Sequence, residues 1–208
     1  MSSQAGTKQG STGAAPAGQW RRGAVVIVSG PSGVGKSTVC ARLCAALPAE
    51  FSVSYTTRGI RPGEVRDQSY RFVTRDEFAR LRDAGRLLEW AEVYGHYYGT
   101  PAEPVERALA ERRVIVLEID IHGTQQVRQR HPELLAFFLL PPTPEEQRRR
   151  ITARQANPQA EIAARLARAD GEVGFARECG CYNQFIVNDS LEQTVQTITQ
   201  AVVKELVE

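Results

Sequence analysis

Short apolar runs alternate with longer amphipathic segments along most of this chain. Runs bounded by polar residues predict strands that are buried on both faces, namely Val25–Val28, Val114–Ile119, Leu135–Leu140 and Phe185–Val187. Because strands and helices alternate, the pattern predicts an α/β fold with a parallel core sheet and helices on both of its faces. Ligands of such sheets bind at the carboxyl ends of the strands, so we expect the functional site there.

Helix starts are predicted by hydroxyl residues that precede Glu or Gln by three positions. Such a capping box satisfies N–H groups that would otherwise lack partners in the first helical turn. The pairs are Thr74 with Glu77, Thr100 with Glu103, Thr143 with Glu146 and Ser190 with Gln193. Proline follows two of these caps, at positions 101 and 144, where we expect the first helical residue.

Two segments interrupt the alternation. Strand-like pieces at Phe51–Tyr55, Tyr70–Val73 and Leu87–Val93 surround a helix at Arg75–Ala84, which predicts a small mixed-sheet insertion. Residues 141–181 are polar, rich in arginine and helical in pattern, and they predict a helical lid that moves over the site. Residues 1–21 show no hydrophobic periodicity, so we expect a disordered tail before one folded domain over residues 22–208.

A glycine-rich segment lies between the first apolar run, Ala24–Val28, and an apolar-periodic helix, in the context of a phosphate-binding loop. Its glycines allow a sharp turn that aims consecutive N–H groups at phosphate oxygens, beside the positive end of the helix dipole. Lys36 is expected to reach the β- and γ-phosphates, and the Ser37 hydroxyl to ligate Mg²⁺. The expected ATP-contacting residues of this loop are Gly30, Pro31, Ser32, Gly33, Val34, Gly35, Lys36, Ser37 and Thr38.

Charge and cysteine content narrow the class of protein. The net charge of the 208 residues is only +2, with no basic stripe interleaved with aromatic residues, which argues against nucleic acid as a partner. The four cysteines form neither a zinc pattern nor a disulfide framework, and we expect reduced thiols. Neither a membrane-length apolar run nor a signal-peptide core is present. We therefore expect a cytoplasmic protein without a membrane partner.

A second series of motifs narrows down which kind of nucleotide-binding protein the phosphate loop belongs to. The segment from Ser54 to Glu64 reads SYTTRGIRPGE, and it is followed by Tyr70, by Glu-Trp-Ala from Glu89 and by Tyr-Tyr-Gly-Thr from Tyr97. Together with the loop, this series resembles the guanylate kinase family over essentially all of residues 22–208. The resemblance implies a three-layer P-loop NTPase fold with a GMP-binding insertion at about residues 54–104 and a lid at about residues 143–181.

The resemblance also implies an activity, a metal and a set of substrates. Members of this family transfer the γ-phosphoryl group of ATP to GMP, giving ADP and GDP, in purine nucleotide metabolism. The reaction depends on Mg²⁺ bound with ATP, and dGMP is expected as a further acceptor. Oligomeric state does not follow from the resemblance.

The roles of individual residues follow from the same resemblance. The acceptor phosphate is expected at Arg58, Arg61, Tyr70 and Tyr98, and guanine at Glu89, Ser54 and Thr100. Asp120 is expected to contact GMP, and Asn188 to lie near the adenine of ATP. The lid arginines Arg150, Arg154 and Arg165 are expected to contact the transferring phosphoryl group. Glu118 replaces the usual aspartate near the metal, so we rank it below Asp120 as a functional group, and His122 replaces a frequent glutamine.

Two other function classes compete with this interpretation. Guanylate-kinase-like modules of scaffold proteins bind phosphorylated peptides and typically lack an intact phosphate loop, whereas this chain retains the loop. A related kinase could act on another acceptor, such as a phosphorylated ribose, but its site would not need Glu89 to pair with guanine.

Overall fold

In the computed structural model, which describes residues 20–93, 95–153 and 171–207, the strands form two separate sheets. The first has five strands: β1 (Ala24–Ser29), β2 (Ala49–Phe51), β7 (Val114–Glu118), β8 (Leu135–Leu140) and β9 (Gln184–Val187). They lie in the order β2-β7-β1-β8-β9, and every neighbouring pair is parallel. This arrangement confirms the predicted parallel core sheet and the four strands that the apolar runs indicated.

Helices cover both faces of the core sheet. On one face, Val26 and Val28 of β1 pack in a buried cluster with α1 (Lys36–Ala46) and α7 (Leu191–Val207). On the other face, Val25 and Ile27 pack with α3 (Ala102–Ala110) and α4 (Ile121–Arg130). Successive side chains of a strand point to opposite faces, so a continuous apolar run is what a sheet covered on both sides requires. The predicted three-layer arrangement is confirmed.

No helix within the described ranges is both long enough and apolar enough to cross a membrane.

The second sheet is smaller and mixed. Its strands are β3 (Tyr55–Thr56), β4 (Arg71–Phe72), β5 (Leu87–Val93) and β6 (His96–Pro101), in the order β4-β3-β6-β5. Strands β3 and β4 are parallel, whereas β6 is antiparallel to both β3 and β5. Helix α2 (Arg75–Asp83) contributes the fully buried Phe78 to this unit.

Two details of this insertion differ from the sequence prediction. The expected strand Phe51–Tyr55 is divided, because Phe51 ends β2 in the core sheet and Tyr55 begins β3 in the second sheet. Strand β6 was not predicted at all, since it contains Gly99 and Pro101, which disfavour strands. Glycine fits closely at position 99, where a Cβ atom would come within 3.1 Å of both Phe78 Cζ and the Glu89 carbonyl oxygen and would crowd them.

Three of the four predicted helix caps are present. Thr74 and Glu77 form a complete capping box, and the Thr143 and Ser190 hydroxyls accept hydrogen bonds from the backbone N–H groups of Glu146 and Gln193. The prediction for Thr100 was wrong, because its hydroxyl donates to the Glu89 carboxylate and α3 begins without a side-chain cap. Pro101 is accordingly the N-cap of α3 and not its first helical residue.

The described parts of the predicted lid are two helices. Helix α5 (Pro144–Ala153) follows β8, and residues 171–178 form the helix α6 before β9. The segment between them lies outside the described residues. Both helices pack on the core: α5 buries Ile151, and α6 buries Ala176 in a cluster with Phe138 of β8.

Arg128 ties the end of α6 to the core. Its guanidinium donates hydrogen bonds to the carbonyl oxygens of Pro132 (2.8 Å), Leu134 (2.7 Å) and Cys181 (3.0 Å). A fourth bond reaches Asn183 Oδ1 at 2.7 Å, and that oxygen also accepts from the Ala136 N–H at 2.8 Å. One side chain therefore joins α4, β8 and the turn that leads into β9.

We predict that Arg128→Met lowers the free energy of unfolding by about 2–4 kcal/mol, since several carbonyl oxygens lose a charged donor. Urea denaturation followed by circular dichroism measures the change. Gln129→Met places the same residue at an exposed position of the same helix and should change stability by less than about 0.5 kcal/mol. Equal losses in the two variants would contradict the anchoring role.

Candidate active site

A cleft of about 1020 Å³ opens at the carboxyl ends of the core strands. One wall is the loop between β1 and α1, and the opposite wall belongs to the mixed sheet. The floor includes Glu118 at the end of β7 and Asp120 just beyond it. Several predicted site residues therefore line one cleft, among them Gly30, Ser32, Gly33, Lys36, Ser37, Ser54, Arg58, Arg61, Tyr70, Glu89, Tyr98 and Asp120.

The glycine-rich loop has the backbone of a phosphate cradle. Gly33 and Gly35 have φ angles of 80° and 99°, a region that side chains rarely adopt. Helix α1 begins at Lys36 directly after the loop, so its positive end faces the cleft. The Lys36 ammonium donates to the carbonyl oxygens of Gly30 (2.7 Å) and Pro31 (3.1 Å). The loop thus concentrates N–H donors and one cation at a single point.

Ser37 and Glu118 bring two oxygen ligands together beside the loop. The Ser37 hydroxyl donates to Glu118 Oε1 at 3.1 Å. A hydroxyl and a carboxylate are the hard oxygen donors that Mg²⁺ prefers, so these residues fit the expected metal. The described residues hold no group of three or more His, Cys, Asp or Glu side chains that could bind a metal by itself. Any Mg²⁺ here would therefore take its remaining oxygen ligands from water or from bound phosphate.

A second polar cluster lies across the cleft, around the buried Arg58. Its Nε donates to the Tyr98 hydroxyl at 3.2 Å, and its guanidinium carbon lies 5.5 Å from the centre of the Tyr70 ring. The rings of Tyr70 and Tyr98 meet edge to face, with centres 5.8 Å apart. Burial, together with the nearby Glu118 charge, raises the pKa of Tyr70 well above its usual value, so the phenol stays a neutral donor.

Glu64 holds this cluster in place, and the sequence analysis assigned it no role. Its carboxylate receives two hydrogen bonds from Arg58, at 2.7 and 3.0 Å, and a third from the Arg61 backbone N–H at 2.8 Å. Burial alone would raise the pKa of Glu64, but these bonds outweigh it and lower the pKa. The only signal in the sequence was an acidic residue inside an arginine-containing motif.

Glu89 is a carboxylate buried at the end of the cleft, only 5% exposed. Its Oε1 accepts hydrogen bonds from the Thr100 hydroxyl (2.6 Å) and the Thr100 N–H (3.0 Å). Burial raises the pKa of Glu89 to about 7, aided by the Asp120 charge and opposed by the bonds from Thr100. The carboxyl is therefore poised between its charged and neutral forms near neutral pH.

Helix α4 packs closely against the Glu89 carboxyl group. A Cβ atom at Gly123 would lie 2.7 Å from Glu89 Oε2, so only glycine permits the close approach. One turn later, Gln126 pairs with both backbone groups of Trp90: its amide donates to the Trp90 carbonyl at 2.9 Å and accepts from the Trp90 N–H at 3.3 Å. Glu89 is thereby fixed between two rigid elements, α4 and β5.

Asp120 is the N-cap of α4, and only one of its two carboxylate oxygens has a hydrogen-bond partner among the described residues. Its Oδ1 accepts from the Gly123 N–H at 2.8 Å, as expected of an N-cap. Its Oδ2 is buried and has no hydrogen-bond partner among the described residues. A buried acceptor without a partner is costly, so this oxygen is suited to receive a donor from a ligand.

Arg150 of the predicted lid and Asn188 of the predicted donor side are not among the residues that line the cleft. Arg150 pairs with Glu146 at 2.7 Å and approaches the Asn188 carbonyl oxygen at 3.5 Å. The Asn188 amide is buried and donates to the Val34 carbonyl at 2.7 Å. The predicted contacts of Arg150 with phosphate and of Asn188 with adenine stay predictions. Arg154 and Arg165 lie outside the described residues.

A family model described as guanylate kinase matches residues 22–205. The chain belongs to the guanylate kinase family. A guanylate kinase of Symbiobacterium thermophilum is 43% identical over 88% of this chain and 86% of its own length. One from Thermosynechococcus vestitus is 41% identical over 86% and 93% of the two chains. The crystal structure of guanylate kinase from Anaplasma phagocytophilum superposes with a TM-score of 0.75 at 32% identity, covering 91% of this chain and 90% of that one.

The burial of Glu89 in this guanylate kinase family member can be tested without a substrate, because it makes the stability of the folded chain depend on pH. A glutamate carboxyl in water has a pKa of about 4.5, whereas burial raises the pKa of Glu89 to about 7 in the folded chain, so folding favours the protonated form. Stability is therefore lost as pH rises through this interval, where the unfolded carboxyl ionises before the folded one.

We predict that Glu89→Gln, whose amide oxygen can still accept from Thr100, gains stability over the native protein as pH rises from about 5 to about 8, by an amount on the order of 2 kcal/mol. Urea denaturation across this pH range measures the difference. A stability difference that does not change with pH would show that Glu89 is not held neutral by burial.

Proposed function

We propose that this chain transfers the γ-phosphoryl group of ATP to GMP, producing ADP and GDP in purine nucleotide metabolism. The observation that carries the proposal is the single cleft that has a phosphate loop on one wall and, on the other, an arginine–tyrosine cluster next to a buried carboxylate. Membership of the guanylate kinase family supports the same reaction.

The transfer needs alignment more than proton removal. An oxygen of the GMP phosphate attacks the γ-phosphorus of ATP, a new P–O bond forms, and the bond to the β,γ-bridging oxygen breaks to release ADP. The attacking oxygen is already anionic at neutral pH, so no general base is required. Catalysis then comes from holding two polyanions in line and from neutralising charge on the transferring group.

On the acceptor side, Arg58, Arg61, Tyr70 and Tyr98 would bind the GMP phosphate. Arginine forks and phenol hydroxyls are donors that match a phosphate dianion. Glu64 already engages two guanidinium nitrogens of Arg58, so it presents Arg58 in a fixed orientation. This pre-organisation lowers the entropic cost of binding.

Guanine would be recognised by Glu89, with Ser54, Thr100 and Asp120 around it. The adjacent N1–H and N2–H₂ donors of guanine can both bond to one ionised carboxylate, whereas adenine offers no proton at N1. Adenine would leave the buried Glu89 carboxylate with its Thr100 donors alone and no donor from the base, and such a mismatch reduces specificity constants by orders of magnitude. No described contact selects between ribose and deoxyribose, and dGMP is proposed as a further acceptor.

On the donor side, residues Gly30 to Thr38 would cradle the ATP phosphates, with Lys36 at the β- and γ-phosphates. Ser37 and Glu118 would hold Mg²⁺ together with phosphate oxygens, and the bound ion would neutralise triphosphate charge. Arg150, Arg154 and Arg165 would complete the site when the lid over residues 143–181 closes and excludes water. Residues 54–104 would act as the GMP-binding subdomain. The four free thiols are consistent with the cytoplasmic location that we propose.

An assay of ADP release with GMP, AMP, UMP and CMP as acceptors tests the proposal. We predict turnover with GMP well above that with the other nucleotides, and a loss of at least about a hundredfold in kcat/KM for GMP in Glu89→Ala. The KM for ATP should stay nearly constant, because Glu89 lies across the cleft from the phosphate loop. Glu92→Ala, an exposed position on the same strand, is the matched control.

Different results of this assay would contradict different parts of the proposed function. Absence of ADP with every acceptor would indicate a binding module, and equal use of several acceptors would remove the guanine-recognition role of Glu89. Full GMP turnover by Glu89→Ala would overturn that role directly.

A further inference from the structure

Three consecutive residues of the phosphate loop are contacted by side chains that do not line the cleft. The buried Gln147 of α5 donates its amide to the Ser32 carbonyl at 2.9 Å. Ile151, one turn further along α5, packs on Gly33, and the buried Asn188 after β9 donates to the Val34 carbonyl at 2.7 Å. The loop is therefore held by side chains more than a hundred positions away in sequence, with separations of 115 and 154 residues for the two hydrogen bonds.

These contacts restrict the orientation of two peptide groups. A trans peptide is planar, and its C=O and N–H point in opposite directions; the described chain has no cis peptide bonds. When Gln147 holds the Ser32 carbonyl towards α5, the Gly33 N–H must point away from α5. When Asn188 holds the Val34 carbonyl, the Gly35 N–H must likewise point away from Asn188. Both N–H groups belong to the loop that would surround the ATP phosphates.

The packing leaves no space for side chains at these two glycines. A Cβ atom at Gly33 would lie 2.6 Å from Ile151 Cγ1, and one at Gly35 would lie 2.8 Å from the Asn188 amide nitrogen. The glycines are thus required by the contacts from behind as well as by their positive φ angles. Loop, α5 and the β9–α7 connection form one packed unit.

Gln147 is not explained by packing alone. The position is 7% exposed and lies one turn from the fully buried Ile151, where an apolar residue would serve an ordinary core contact. A buried amide is retained at a cost unless it is hydrogen-bonded, and its one described side-chain bond goes to the phosphate loop. Arg150, expected to contact phosphate from the same helix, approaches the Asn188 carbonyl at 3.5 Å.

We propose that Gln147 and Asn188 are positioning residues: by holding the carbonyl groups of Ser32 and Val34, they orient the Gly33 and Gly35 N–H groups for the triphosphate and link α5 to ATP binding. The proposal rests on the proposed function only for the identity of the nucleotide. It adds Gln147 as a group that acts on ATP through the loop backbone, and it gives Asn188 a positioning role besides its predicted contact with adenine.

The test compares Gln147→Leu with Arg148→Leu, which places the same residue on the exposed side of the same turn. We expect Gln147→Leu to weaken binding of a non-hydrolysable ATP analogue and to raise the KM for ATP, each by roughly five- to tenfold, as loss of one buried hydrogen bond implies. GMP affinity, measured by calorimetry without ATP, should be unchanged. Arg148→Leu should leave both affinities within about twofold of the native values.

A double-mutant cycle separates positioning from general stability. Gln147→Leu and Asn188→Leu act on two peptide groups of one loop that are separated by a single peptide. Their effects on ATP affinity should therefore be non-additive: the fold-loss in the double variant should be smaller than the product of the two single fold-losses. Equal losses of ATP and GMP affinity in Gln147→Leu would indicate a merely structural role and overturn the proposal. Unchanged ATP affinity would overturn it as well.

The proposed function and this inference fail separately. Absence of GMP-dependent ADP release in the native protein refutes the former, whereas analogue binding needs no turnover. Native GMP turnover together with unaltered ATP affinity in Gln147→Leu refutes only the latter.

Discussion

The parallel pairing of β1 with β7 on one side and β8 on the other is the constraint on which the site depends. In this register Val28 lies opposite both Glu118 and Phe137, so the three strands end at the same edge of the sheet. The phosphate loop, the Glu118 carboxylate and the connection to α5 therefore meet at this edge. The hydrophobic clusters on the two faces keep this edge rigid, because alternate β1 side chains are buried by two different pairs of helices.

The cleft at this edge carries charges that the fold does not fully compensate. Glu64 neutralises Arg58 within the chain, but Glu89 has only uncharged Thr100 donors, and one oxygen of Asp120 has no partner among the described residues. Buried carboxylates that lack a charged partner or a full set of hydrogen bonds reduce the stability of the ligand-free protein. A ligand with matching donors would supply those partners, so the proposed specificity for guanine and the cost in stability would have one physical origin.

Local patterns predicted the parts of this structure that local interactions determine. The apolar runs predicted four of the five core strands, because a strand covered on both faces must be apolar throughout, and they missed the short, partly exposed β2. The glycine-rich loop was recognisable from its flanking strand and helix. Thr74 was correctly predicted as a cap, since its partner Glu77 lies within the same turn. The motif series brought Arg58, Tyr70 and Tyr98 into one expected cluster, and the structure places them in contact.

The remaining features depend on contacts that no local pattern encodes. Thr100 and Glu103 have the spacing of a helix cap, but the Thr100 hydroxyl instead donates a hydrogen bond to the Glu89 carboxylate on the neighbouring strand. Glu64, Gln126 and Gln147 were not recognised, because each acts through a backbone or side-chain group whose position only the tertiary structure fixes. Gln147 in particular has the appearance of an ordinary residue in a charged helical run until α5 is placed against the loop.

The central claim is that one cleft binds both nucleotides, with the two phosphate-binding walls close enough for direct transfer. Calorimetry with adenosine and guanosine joined through a polyphosphate bridge measures this most directly. We expect one bridged molecule to bind per chain, far more tightly than either nucleotide alone, and to be displaced by both ATP and GMP. Affinity no greater than that of ATP, or displacement by only one of the two nucleotides, would contradict the account.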